Sequence, residues 1–203
     1  MYKYDRQKLI DLIKSDSKRI IDERVFALNI IGIRSSLDLV NAFNDLFIII
    51  MKLQDGTNIY YEFPGSTKPG LSHLLIPINP KGCAIVKEGY YKNLWQKGFH
   101  KGKPALVQVN KITVIRDFDK DAELDYNSGI EESGIFGINF HRCGLNSEIV
   151  NNWSAGCQVS KRARDIDLLI RYADIQTSKL NLKYISYNLI NEKMAIPALK
   201  TEA

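Results

Sequence analysis

Residues 134–160 read GIFGINFHRCGLNSEIVNNWSAGCQVS, and the rest of the chain is arranged to serve this stretch. Its two ends are apolar enough to be strands, and a polar, Asn-rich segment separates them. In GIFGINFH, Phe136, Ile138 and Phe140 alternate with Gly137, Asn139 and His141, the period of a half-buried strand. If the aromatic and aliphatic set faces a core, His141 leaves the sheet on the other side, toward a cleft. In WSAGCQV, Ser-Ala-Gly precedes Cys157, so backbone can approach a substrate closely beside the sulfur. His141 and Cys157 stand sixteen positions apart, and a histidine brought alongside a thiol supplies the base that a nucleophile needs. The plainer alternative makes Cys157 a buried small hydrophobe and His141 a hydrogen-bonded strand end.

Composition narrows the class. The 203 residues suffice for one domain with a real core, and 25% charged with 10% aromatic residues describes a globular chain. The net charge of +5 favours an anionic partner, whether nucleic acid, anionic lipid or acidic cell-wall polymer, and no lysine/arginine block is long enough to read as a nucleic-acid patch. Three cysteines form no closed disulfide framework, so at least one thiol is free and a reducing site of synthesis is expected. The charged N-terminus MYKYDRQKLIDLIKSD lacks the apolar core of a secretory signal, which predicts synthesis in the cytoplasm. The longest apolar run, Leu46 to Met51, is too short to span a bilayer. No feature of the sequence addresses whether copies of the chain pair.

Outward from the central stretch, periodicity assigns the elements. Leu9, Ile10, Leu12, Ile13, Ile20 and Ile21 recur at helical spacing over residues 5–24, giving one or two amphipathic helices broken near Ser15 to Ser17. This N-terminal helical arm covers residues 1–25. FALNIIGIR reads as a strand, and DLFIIIMKLQDGTNIYYEF as a hairpin turning at Asp55-Gly56. Phe47 to Met51 is apolar on both faces and is expected to lie deep. PGSTKPGLSHLLIPINPKG reads as a loop crossing the surface. CAIVKEGYY and ALVQVNKITVIRD supply further strands, the latter split at Asn110-Lys111. Tyr90, Tyr91, Trp95, Phe99 and His100 interleave with lysines, either as a grip for a glycan or peptide or as a half-buried lip. Asp117, Asp119, Asp121, Glu123 and Asp125 alternate through DFDKDAELD, as oxygens wrapped around a structural calcium do; a solvated acidic turn is the alternative. KRARDIDLLIRYADIQTSK is a helix, Leu182 to Leu189 a last strand, and residues 191–203 a tail. The whole is mainly β with flanking helices (α+β), residues 26–190 forming the one domain.

The pattern Gly-Ile-Asn-Phe-His-Arg followed by Trp-Ser-Ala-Gly-Cys-Gln-Val resembles the active-site signature of the L,D-transpeptidase catalytic domain, the YkuD-like family. The matching positions are His141, Ser154, Gly156 and Cys157. FPGSTKPG resembles the loop at the rim of that family's cleft, and the likeness extends over roughly residues 45–190. Within the family it is to members from Bacteroides-type phages and prophages. The chain departs from the pattern at Ala155, often histidine there, at Val159, often arginine, and at Arg142, where glycine is usual. Residues 81–131 enlarge the cleft region.

The resemblance implies a β-sandwich-like mixed fold, with one helix after the cysteine, and cysteine acyl transfer on peptidoglycan stem peptides, as transferase or cross-link hydrolase. Cys157 would be the nucleophile and His141 its base, oriented through the Arg142 carbonyl. The N–H groups of Gly156 and Cys157 would meet the oxyanion, at about 3 kcal/mol per donor, and Ser154 would support the turn or the histidine. Thr67, Trp153, Tyr91 and Arg116 are the side chains expected to contact substrate, Arg116 or Arg142 holding its carboxylate. No cofactor is required. The place of action would be the cell wall, reached by phage delivery. The alternative is a non-catalytic virion structural or wall-binding protein that keeps the fold.

Overall fold

The computed structural model describes residues 3–145 and 147–200. Its architecture follows from the run that is apolar on both faces. β2 (Asp45–Lys52) turns back at Asp55-Gly56 into β3 (Asn58–Ser66), and β1 (Leu28–Arg34) pairs antiparallel with the other edge of β2. Alternate residues of these strands serve two different cores. Leu28, Ile30, Phe47, Ile49, Met51 and Phe63 join one apolar cluster, whereas Ile31, Ile33, Ile48, Ile50 and Tyr60 join another. A strand buried on both sides has no polar face to show, which is why the alternation vanishes between Leu46 and Met51.

The sheet closes on itself. Beyond β4 (Cys83–Val86), the chain continues through β5 (Gly89–His100), β6 (Lys103–Gln108), β7 (Ile112–Asp117), β8 (Glu131–Gly134), β9 (Phe140–Arg142), β10 (Gln158–Ser160) and β11 (Tyr184–Asn191). Eight strands form a closed barrel in the order β1-β11-β5-β6-β9-β10-β3-β2, and β4-β7-β8 make a separate three-stranded sheet. The pairs β1·β11 and β9·β10 are parallel, and the other barrel pairs are antiparallel. Closure leaves no barrel strand with an unpaired edge. Trp95, Leu106, Phe140, Tyr187 and Leu189 fill the interior. Gly32 is what lets Tyr187 cross it: a Cβ at that position would sit 2.0 Å from the phenol oxygen.

Helices complete both cores. α1 (Arg6–Ser15) begins at Asp5, whose carboxylate accepts the Lys8 N–H, and it buries Leu9 and Ile13 on the outer cluster. α2 (Leu71–Leu75) is a single short turn of helix. α3 (Ala163–Leu180) presents Ile166, Leu169 and Ala173 to the inner core, which Ala84, Val86, Ile112 and Val114 of the small sheet also enter. α3 ends with Asn181 in the left-handed conformation, φ 54°. The mainly β, α+β character expected from the sequence holds. Among the described residues no helix is long and apolar enough to cross a membrane.

Two expectations need correction. The stretch expected as a tail contains α4 (Glu192–Ala195) and a 3₁₀ turn over Ile196–Ala198, with Ala195 and Ala198 fully buried beside α1. Tyr4 bridges Leu199, so both ends of the chain seal the outer cluster. The segment expected as a surface loop buries Ser66, Thr67 and Lys68 completely. Its composition is loop-like because its backbone is irregular, yet its side chains enter a polar knot. Asp45 accepts from Thr67 through both N–H and hydroxyl, and its other oxygen lies 3.3 Å from Lys68 Nζ.

Because the outer face is a true core, Ile48→Ala should cost about 2–5 kcal/mol in denaturant unfolding, as an inner-face Ile49→Ala would. A loss under about 0.5 kcal/mol would mean that Ile48 faces solvent.

Candidate functional site

The parallel pairing of β9 and β10 puts the two motif residues on one face but two positions out of register. Phe140 is the register partner of Gln158, and His141 of Val159. Phe140 points into the core and Gln158 accepts the Tyr187 hydroxyl there at 2.8 Å. Side chains of a parallel pair share faces at matched positions, so Asn139, His141, Cys157 and Val159 belong to the opposite face. One step ahead of the strand, the Cys157 sulfur closes the ladder: it accepts the Asn139 N–H at 3.4 Å and donates to the Gly137 carbonyl at 3.4 Å.

The imidazole is buried and held. His141 is 4% exposed, and its Nδ1 lies 2.9 Å from the Arg142 carbonyl, which assigns the proton to Nδ1. Nε2 then carries a lone pair, and it is buried with no hydrogen-bond partner among the described residues. The ring stacks on His100 at 4.1 Å between centroids and 8° between planes. His100 is fixed in turn: the Gln108 N–H donates to Asn139 Oδ1, which aims the Asn139 amide nitrogen at His100 Nδ1, 3.0 Å away. Burial pushes the His141 pKa down to about 4; the Arg142 carbonyl opposes this, and His100 and Lys101 add to it. The imidazole is therefore neutral at pH 7.

The thiol is half-buried and also neutral. Burial raises its pKa above the ordinary thiol range, against the lowering effect of the Asn139 N–H and Lys101. No hydrogen bond joins it to His141, since each of its contacts is to backbone. Ser154, fully buried, donates to the Cys157 carbonyl at 2.8 Å and accepts the Gly156 N–H at 3.1 Å. Of its two expected roles, support of the turn is the one that the hydrogen bonds show. Gly156 has φ 126°, and a Cβ there would lie 2.7 Å from the Ala84 carbonyl oxygen. The expectation that the Gly156 N–H waits for an oxyanion is corrected, because Ser154 already holds it.

Of the remaining predicted residues, Arg142 and Trp153 stand at the site and Thr67 and Tyr91 do not. Arg142, Trp153, His100, Lys101 and Lys103 line a cavity of about 240 Å³ that reaches His141. Thr67 has no exposed surface, and its hydroxyl is taken by Asp45 and the Arg34 Nε. Tyr91 donates to the carbonyls of Lys87 and Thr113, away from this cavity. Arg116 is buried against Glu132 at 2.7 Å and stacks over Phe136. It lines a second cavity of about 380 Å³ that includes Ala155, the residue two before the cysteine.

The acidic loop splits. Asp117 is fully buried at the end of β7, its pKa raised to about 6 by burial, while Asp119, Asp121, Glu123 and Asp125 lie outside the core. Backbone N–H groups of Glu123, Asp125 and Asn127 occupy oxygens of Asp121, Asp117 and Asp125. Among the described residues no group of three or more His, Cys, Asp or Glu side chains is placed to hold a metal ion.

Sequence reasoning missed His100 and Asn139 as parts of the site. The signal was Phe-His-Lys-Gly-Lys at residues 99–103, a tight hairpin that tips a histidine over the neighbouring strand. Compared with known proteins, the chain matches no family model, no curated protein and no solved structure.

A histidine whose folded pKa is about 4 binds fewer protons than its unfolded counterpart near 6.5. Its contribution is fully present above about pH 6.5 and disappears as pH falls through 4, a loss on the order of 3 kcal/mol. Wild type should lose that much more stability than His141→Asn between pH 7 and pH 4. Equal losses, or an NMR titration midpoint for His141 at 6.5 or above, would show an imidazole open to water.

Proposed function

We propose that the chain is a cysteine acyl-transfer enzyme of the L,D-transpeptidase type acting on peptidoglycan stem peptides, with Cys157 as nucleophile and His141 as base. One observation carries the reading. The Arg142 carbonyl fixes Nδ1–H and leaves a lone pair on Nε2, on the sheet face that also bears the thiol one strand away. That is the tautomer a general base requires, and the backbone carbonyl does the orienting work a carboxylate does elsewhere. The fold belongs to the same proposal: the barrel with its small covering sheet is read as the β-sandwich-like catalytic domain of that family.

Both partners rest neutral, so proton transfer accompanies attack. Substrate turns the thiol from the Gly137 carbonyl toward Nε2. Sulfur then bonds to the amide carbon while its proton passes to His141, and the C–N bond breaks as His141 returns that proton to the leaving amine. Water or an amine next attacks the thioester, with His141 again taking the proton, and the thiol is restored. Ser154 holds the turn, the Cys157 N–H faces the oxyanion, and Lys101, Lys103 and Arg142 supply positive charge for a substrate carboxylate. The reaction needs no cofactor, and its substrate is met at the cell wall.

A different class of function, a wall-binding or virion scaffold without catalysis, is favoured by two facts: thiol and imidazole share no hydrogen bond, and the thiol pKa is raised. The two readings part on two assays. Purified protein incubated with sacculi should release smaller muropeptides, with at least a hundredfold loss in Cys157→Ser, as removal of a nucleophile demands. A carbapenem should add covalently at Cys157, seen by mass spectrometry. Unchanged sacculi and an unmodified Cys157 would leave only the scaffold.

A further inference from the structure

We propose a second ligand site, for an oxyanion of the phosphate or carboxylate class, in the cavity of about 560 Å³ where Arg34 emerges from the polar knot. Arg34 is 2% exposed, yet no carboxylate lies within ion-pairing distance of it among the described residues. Its Nε donates to the Thr67 hydroxyl, and Nη2 donates to the Thr67 and Val86 carbonyls. These bonds satisfy one edge of the guanidinium and leave Nη1 for the cavity. The one acid in the knot, Asp45, is already committed to Lys68, Thr67 and the Ser35 N–H. A buried cation without a counter-charge is costly, and a planar guanidinium with free donors fits an oxyanion.

The cavity wall carries both signs, with four cations and two acids, and neither acid is ion-paired among the described residues. Arg19, Lys87 and Lys193 line it with Arg34, against two acids, Asp38 and Glu88. Arg19 and Lys87 are paired with Asp16 and Glu131, which do not line it, while Lys193 makes no ion pair among the described residues. Tyr126, whose ring lies 5.4 Å from the Arg34 guanidinium carbon, also lines the cavity, and its hydroxyl faces the Asp38 carboxylate. An oxyanion seated at Nη1 would satisfy donors from Arg34 and Lys193 together. This site is separate from the sulfur and imidazole and does not rest on the acyl-transfer reading.

The test is isothermal titration of the full chain with sodium phosphate, and separately with sodium acetate, chloride holding the ionic strength constant. Saturable binding of one equivalent of either anion is expected, and which anion binds more tightly names its source. Lys193→Glu, an exposed change, should weaken it tenfold or more with an unchanged thermal midpoint in chloride, and Cys157→Ser should leave it unaltered. Arg34→Met should abolish binding; should that variant fail to fold, Lys193→Glu decides alone. No saturable binding of either anion, or equal affinity in wild type and Lys193→Glu, overturns the site.

Discussion

The parallel register of β9 against β10 is the constraint on which the site depends. Two strands of three residues, whose lateral bonding is slight, must be held in one alignment by what lies around them. Phe140 and Gln158 anchor the inward side, the former among aromatic rings and the latter through the Tyr187 hydroxyl. Parallel neighbours need a long crossover, and residues 143–157 provide it. That crossover is fastened in its turn: the Ser154 carbonyl accepts the Gly70 N–H, and Asn41 accepts the Asn151 N–H. A slip of one residue would exchange the faces and carry His141 into the core.

The alignment is stable because the barrel behind it is buried on both sides. Inner and outer clusters share β1 and β2, so the strands cannot shift without disturbing both. The outer cluster in turn depends on the two chain ends meeting through Tyr4 and Leu199. The polar knot fixes the junction between barrel and small sheet: Arg34 bonds Thr67 at the end of β3 and the Val86 carbonyl in β4. Removing either partner of the buried Asp45–Lys68 pair would strand a charge, which is why such knots tolerate little change.

Much of this was legible in the chain. Alternation and its loss at Phe47–Met51 gave the first three strands, Asp55-Gly56 gave their turn, and the 3.6 period of residues 163–180 gave α3. The pairing of His141 with the Arg142 carbonyl, found at 2.9 Å, was expected only through the family resemblance. What stayed hidden is non-local. Barrel closure joins β1 to β11 across most of the chain, and no window of sequence carries that pairing. Thr67 was placed at a cleft rim by the resemblance of FPGSTKPG; its burial is decided by Asp45, twenty-two positions earlier. His100 entered the site only because β5 is long enough to carry it over β9.

The neutral state of both site residues follows from the same burial that positions them. An imidazolium stacked face to face on a second imidazole, near Lys101 and with little water, would have no carboxylate to balance it, so His141 stays uncharged far below its usual pKa. A thiolate would need that imidazolium as its partner, and without it the sulfur stays protonated as well. Ionising the pair before substrate arrives costs two desolvations at once. On the proposed acyl-transfer reading, ionising it during attack would place the negative charge on a developing oxyanion instead. Burial thus sets both the position of the two side chains and their charge, with Lys101 disfavouring the imidazolium and favouring the thiolate.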